Sequence, residues 1–174
     1  MYLNMVLENG NMNSLQRFAV NKIAGSDFIS RALGANILKW SGFKIGKNVL
    51  IRQHVFFDSN SVEIGDGSFI NRFCSFQDGG HNAKLTVGQR VAIGPNCVFL
   101  GATHEFGDAQ RRARKARGGD ITIENGCWIG GNVTILPGVM ISEGCIIGAG
   151  SVVTKNTEKN SLYVGVPAKK VRNL

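Results

Sequence analysis

A chain of 174 residues, 43% hydrophobic and 18% charged, is long and apolar enough for one domain around a substantial core, which excludes a disordered segment. No run approaches the roughly 18 apolar residues of a membrane span, and the opening MYLNMVLENGNMN has neither the basic flank nor the apolar stretch of a secretory signal, so a cytoplasmic protein is expected. Twenty Lys and Arg against twelve Asp and Glu give a charge of +8; with no helix-turn-helix, zinc-finger or RNP-type motif beside it, that charge points away from nucleic acid and toward a small polyanionic ligand.

In chain order, the first predicted element is a helix in SDFISRALGANILKWSGF, residues 26–43. Ser26 and Asp27 supply a cap, and Ile29, Leu33, Ile37 and Trp40 make an apolar stripe at helical spacing. Residues 1–42 are therefore expected to form a helical cap on the end of the domain that follows, rather than a helix lying on a membrane.

From Ile45 onward an apolar anchor recurs every six residues: Ile45, Ile51, Phe57, then Ile64, Ile70, Phe76, then Val87, Ile93, Phe99, and then Ile123, Ile129, Ile135, Ile141, Ile147 and Val153. Six matches neither the helical nor the strand period. Three residues after the anchor stands Gly or Asn in eleven of the fifteen hexads, types that tolerate positive φ, so each hexad predicts a turn. One residue later come small or β-branched side chains such as Val55, Ser68, Cys74, Val91, Cys97, Cys127, Val133, Cys145 and Ser151, as an inward position near a corner requires. The count breaks after every third hexad up to Ile123, so three short strands make one turn of a parallel β-solenoid. The expected fold is an all-β prism of about five coils over residues 43–158, with a loop at 105–120 leaving a corner and a basic C-terminal tail at 159–174.

All four cysteines, Cys74, Cys97, Cys127 and Cys145, fall on the inward position and are expected to be buried thiols; their spacing offers neither a zinc site nor a disulfide framework. His104 falls on an outward position, just before EFGDAQRRARKARGGD, the largest break in the repeat. Five of the twenty basic residues lie in RRARKAR, 111–117, and five more in the last twenty residues. Gly131 and Ala149 stand 18 residues apart and so stack at one corner of successive coils, with Asn71 beside that corner.

These hexads, followed by CWIGGNVTILPGVMISEGCIIGAGSVVTKN and closed by YVGVPAKKV, resemble the hexapeptide-repeat acyltransferases, particularly the maltose and galactoside O-acetyltransferase group. The resemblance covers about residues 43–172. It implies a left-handed β-helix, a homotrimer, and transfer of acetyl from acetyl-CoA to a hydroxyl of a sugar-type acceptor without a metal; His104 and Asn71, on different corners of one prism, place the sites between subunits. The resemblance also implies His104 as general base, Asn71 and Asp78 as acceptor contacts, and Gly131, Ala149, Thr154, Lys155, Lys169 and Arg172 as acetyl-CoA contacts; Trp128, on an outward position, reads as part of the groove wall or as an interface anchor. A histidine is suited to taking the hydroxyl proton near neutral pH, and basic side chains suit the phosphates of the coenzyme. Transfer to an amine of an amino sugar or to an antibiotic hydroxyl, or a catalytically silent assembly module, would use the same fold. The three-histidine zinc site of γ-class carbonic anhydrases would not fit His54, His81 and His104, which are 27 and 23 residues apart.

Overall fold

The computed structural model describes residues 12–174. The part of the expected helical cap at residues 1–11, and with it most of the opening stretch weighed as a signal, lies outside the described residues. Helix α1 spans Ser14–Phe18 and runs into a π-helical turn, Ala19–Ala24. Helix α2 spans Arg31–Trp40, four residues later than the sequence cap predicts, because Ser30 is the N-cap and its hydroxyl accepts the N–H of Leu33 at 3.3 Å. Asp27 is instead engaged by the strands, with its carboxylate hydrogen-bonded to the His54 ring at 3.0 Å and 3.7 Å from the Arg72 guanidinium. The helical segment is bonded to the strands that follow: Asn21 exchanges two hydrogen bonds with the backbone of Phe57, at 2.8 and 2.9 Å.

The hexads form three parallel sheets. The first contains β1 (Lys44–Ile45), β4 (Val62–Ile64), β7 (Leu85–Val87), β12 (Ile121–Ile123) and β15 (Met140–Ile141). The second contains β2 (Leu50–Ile51), β5 (Phe69–Ile70), β8 (Ala92–Ile93), β13 (Trp128–Ile129) and β16 (Ile146–Ile147), and the third β3 (Phe56–Phe57), β6 (Ser75–Gln77), β9 (Val98–Leu100), β14 (Thr134–Ile135) and β17 (Val152–Val153). The chain visits the three faces in rotation, so each strand pairs with one a full circuit away. Every anchor sits opposite another anchor, including Val87 against Ile123 across the longest break and Ile64 against Val87 across the five-residue one. The insertions therefore leave at corners without shifting the phase of the repeat.

Packing explains the composition. The anchors from Phe57 onward are all buried, and Phe57, Phe76 and Phe99 stack in one column with ring centroids 5.2 and 4.5 Å apart. Removing one such side chain to Ala costs about 3–5 kcal/mol, because neighbours locked in a ladder cannot collapse into the space. The four cysteines line inner corners and each thiol meets a carbonyl one circuit on: Cys74 to Gly94 at 3.2 Å, Cys97 to Gly130 at 3.1 Å, Cys127 to Ser142 at 3.2 Å and Cys145 to Glu158 at 2.8 Å. Burial pushes the Cys127 thiol up to about 11. Cys74 is held well above the ordinary thiol range by its contact with Cys97 and by burial, so the Cys74 and Cys127 thiols are kept out of the nucleophilic thiolate form.

Two further pairs complete the fold. Strands β10 (Ala102–Phe106) and β11 (Ala113–Gly118) form an antiparallel hairpin where a loop is predicted. The C-terminal stretch is strand β18 (Ser161–Val164), added in parallel to β16, and strand β19 (Lys169–Asn173), which returns antiparallel on β18. The same stretch also reaches the other two faces, where Thr157 N–H donates to Met140 and Ala168 N–H to Val152.

Candidate active site

His104 stands on β10, exposed to solvent. In the hairpin register it faces Ala116, while Thr103 faces Arg117 and Phe106 faces Ala113. The numbers between the pairs do not match, because β11 carries one extra residue at Arg114–Lys115 opposite Glu105; such a bulge keeps His104 and Phe106 on one face. That face is otherwise small and apolar, carrying Ala113 and Ala116. Thr103, Glu105, Lys115 and Arg117 occupy the other.

The imidazole is fixed by its own hairpin. Nδ1 lies 2.9 Å from the carbonyl oxygen of Arg114. A carbonyl only accepts, so Nδ1 carries the hydrogen, and in the neutral ring Nε2 is left with its lone pair free. The partner strand is held in turn by the Arg114 guanidinium, 2.6 Å from Asp108.

The second cluster lies at the corner between the second and third sheets. Gly94 and Gly130 are required there by stacking: a Cβ on Gly94 would fall 2.6 Å from the nitrogen of Gly131, and one on Gly130 2.6 Å from that of Ala149. Gly131 differs, since the nearest atoms to its built Cβ all belong to Pro95, at 3.3 to 3.5 Å, and its backbone needs no positive φ. With the exposed Ala149 beside it, Gly131 keeps the outside of this corner low. Asn71 lies at the same corner: its Oδ1 accepts the N–H of Arg72 at 2.9 Å, and among the described residues its amide nitrogen donates to no protein acceptor. Trp128, 57% exposed on β13, stands on the adjoining face.

Thr154 and Lys155 are exposed at the corner after β17, and Lys169 and Arg172 on β19. Lys170 is neutralised by Glu158 at 2.6 Å. Among the described residues no carboxylate lies within ion-pair distance of Lys155, Lys169 or Arg172. Open small residues and uncompensated cations suit an extended ligand ending in phosphates, as the coenzyme does.

Asp78, expected among the acceptor contacts, stands buried in the turn after β6. It is 2% exposed, with Oδ1 accepting the N–H of Gly80 at 2.9 Å and Oδ2 the hydroxyl of Ser61 at 3.3 Å, so its carboxylate is committed to the turn. Burial opposes its charge, but the Gly80 N–H and the Ser59 hydroxyl hold it below the usual carboxylate range. The neighbouring Asp58 is pushed up by burial first and then by the contact with Asp78.

The structure thus assembles Asn71, Gly131 and Ala149 at one corner with Trp128 beside them, and His104, Thr154 and Lys155 at the next. Phe106, 97% exposed on the face of His104, was not marked by the sequence, because it follows the point at which the hexad pattern stops. Among the described residues no three His, Cys, Asp or Glu side chains gather as metal ligands, and no helix is long and apolar enough to cross a membrane.

The bacterial transferase hexapeptide (six repeats) model matches residues 120–155. A Schizosaccharomyces pombe relative, named provisionally as an acetyltransferase, is 42% identical over 114 residues, which are 66% of this chain and 54% of the relative. The galactoside O-acetyltransferase of Escherichia coli is 33% identical over 131 residues, 75% of this chain and 63% of that protein. Among solved structures, a hexapeptide-repeat-containing acetyltransferase from Vibrio cholerae complexed with acetyl coenzyme A superposes with a TM-score of 0.79 at 28% identity, covering 92% of this chain and 84% of the other. The chain spans little more than half the length of the first curated relatives it matches, 54% and 56%.

Proposed function

Because the chain belongs to the hexapeptide-repeat transferase family, we propose that it is an acetyl-coenzyme A dependent O-acetyltransferase acting on a sugar-type hydroxyl. The observation that carries the proposal is the His104 imidazole, exposed on the hairpin and tied through Nδ1 to the carbonyl of Arg114 at 2.9 Å. That bond sets both the tautomer and the direction of the ring, which a general base needs before any substrate arrives.

In this reading acetyl-coenzyme A supplies the activated acetyl thioester. Nε2 of His104 takes the proton of the acceptor hydroxyl as its oxygen becomes the nucleophile, and returns it to the departing thiol. Asn71 orients the acceptor through its free amide, Trp128 walls the groove, and Gly131 and Ala149 leave room for the pantetheine arm. Thr154, Lys155, Lys169 and Arg172 hold the phosphate-bearing end. Asp78 organises the corner. His104 and Asn71 lie at different corners of one prism, a face of about 13 Å apart by strand rise, so the site is completed between neighbouring copies of a homotrimer. The same proposal takes the winding as left-handed with five coils, residues 1–42 as a helical cap and the location as cytoplasmic.

The test is coenzyme A release by purified protein with acetyl-coenzyme A against a panel of pyranosides, amino sugars and chloramphenicol. Acceptor-dependent release with O-acetylated pyranoside as the product supports the proposal. Release only with an amine, or with no acceptor, refutes it.

A further inference from the structure

We infer that Phe106 is a specificity-determining residue that selects ring-shaped acceptors: its exposed ring is the platform on which the C–H face of a pyranose rests while a hydroxyl at the edge of the sugar meets Nε2 of His104. The inference rests on the acetyl-transfer reading above and adds the shape of acceptor it favours.

Three observations carry it. The register pairs His104 with Ala116 and Phe106 with Ala113, so the two side chains leave one face of the hairpin from Cα atoms about 7 Å apart, two strand residues along. Opposite both stands only alanine, which makes the space between the rings a shallow floor about one sugar wide. Phe106 is 97% exposed, yet the chain holding it is firmly set. Gly107 N–H donates to Arg112 at 2.8 Å, the Arg112 guanidinium donates to Gly107 at 3.2 Å, and Asp108 accepts the N–H groups of Gln110 and Arg111 at 3.0 and 3.1 Å. A Cβ on Gly107 would collide with the carbonyl of Arg111, so only glycine winds the tip this tightly beside the ring.

A pyranose has an apolar C–H face and a polar hydroxyl rim. An aromatic face takes the first and leaves the second free to reach a base, which is how mostly apolar pockets with few polar groups orient a ligand. Because the platform and the base share one strand, their spacing is fixed before binding, which lowers the ordering cost. An open-chain polyol offers the same hydroxyls without the face, and gains nothing from Phe106.

The experiment compares Phe106→Ala and Phe106→Trp with the unmodified protein. The probes are the methyl glycosides of glucose, galactose and mannose against glycerol, with coenzyme A release as the readout and assembly state followed by size-exclusion chromatography. Phe106→Ala should lower the ratio of kcat/KM for the preferred glycoside to that for glycerol about tenfold, mainly through the glycoside KM, while Phe106→Trp retains the ratio. Equal losses for glycoside and glycerol, an unchanged ratio, or an altered assembly state in Phe106→Ala would each overturn the inference. Release with glycerol but with no glycoside would overturn it too while leaving acetyl transfer standing. Release with neither acceptor would overturn the acetyl-transfer reading itself.

Discussion

The Nδ1 atom of His104 donates to the carbonyl oxygen of Arg114, 2.9 Å away across the hairpin. The bond joins a side chain to a backbone group, so it does not depend on the identity of the Arg114 side chain, whereas substitutions of His104 remove the proposed base. His104→Ala is expected to lower kcat by about 10² to 10⁴ with acetyl-coenzyme A binding preserved, as single-turnover and equilibrium binding measurements would report. His104→Gln, which keeps a donor for the carbonyl but cannot take the proton, should be equally impaired.

Asn71 and His104 at different corners give a prediction about mixed assemblies. If each single variant is nearly inactive, coexpressing His104→Ala with Asn71→Ala in equal amounts should restore about a quarter of full activity. About three quarters of cyclic trimers are mixed, and each has one intact interface of three. Mixed trimers that form but remain inactive would refute sites shared between subunits.

The two lysines side by side on β19 should separate cleanly. Lys169 has no carboxylate partner among the described residues, while Lys170 is paired with Glu158 at 2.6 Å. Lys169→Glu is expected to raise KM for acetyl-coenzyme A several-fold and leave the acceptor KM in place, with added salt mimicking it weakly. Lys170→Ala should have a much smaller effect in the same steady-state assay.

The Asp58 and Asp78 carboxylates oppose each other. Asp58 is held above the ordinary carboxylate range by burial and by Asp78, so the folded state binds its proton more tightly than the unfolded one. Its unfavourable charge is therefore present at neutral pH and is relieved as pH falls through the raised value. Asp58→Asn should equal or exceed the parent in Tm at pH 7, with the advantage shrinking toward pH 4. Its ion pair with Arg17, whose side chain is about half exposed, is worth little against this. Asp78→Asn should behave oppositely, lowering Tm at pH 7, because the Gly80 N–H and the Ser61 hydroxyl meet different carboxylate oxygens and Asn keeps only one of them.

Much of the architecture is legible in the residues because one physical constraint recurs in every hexad. An inward anchor needs an apolar side chain, and a corner needs a small one, so Ile129, Cys127 and Gly126 report their places independently. The turn position is less legible. His54, Phe73 and Arg90 occupy it with φ of 61°, 62° and 52° although none is Gly or Asn, because the stacked corners above and below impose the conformation. The rings of His54 and Phe73 stack with centroids 5.2 Å apart. The hairpin escaped because Ala113, Arg114, Lys115 and Ala116 have little strand propensity, and pairing with Thr103 to Phe106 is what makes them a strand. The burial of Asp78 escaped because it depends on a turn closed by Gly80 and on Ser61 from the preceding circuit, a contact that local sequence does not encode.

A column of parallel strands is, in principle, an endless template: whatever satisfies the last rung offers the same groups to the next, and two such columns can join end to end into a fibre. Here the final rung is filled on every face. Thr157 and Ala168 satisfy β15 and β17, and β18 extends the second sheet only for β19 to turn back against it in the opposite direction. The outermost strand is then KKVRN, antiparallel, with Lys169 and Arg172 uncompensated among the described residues beside the Lys170–Glu158 pair. A second column approaching that end meets a reversed, cationic strand, so the segment proposed to hold the coenzyme's phosphates also terminates growth of the stack.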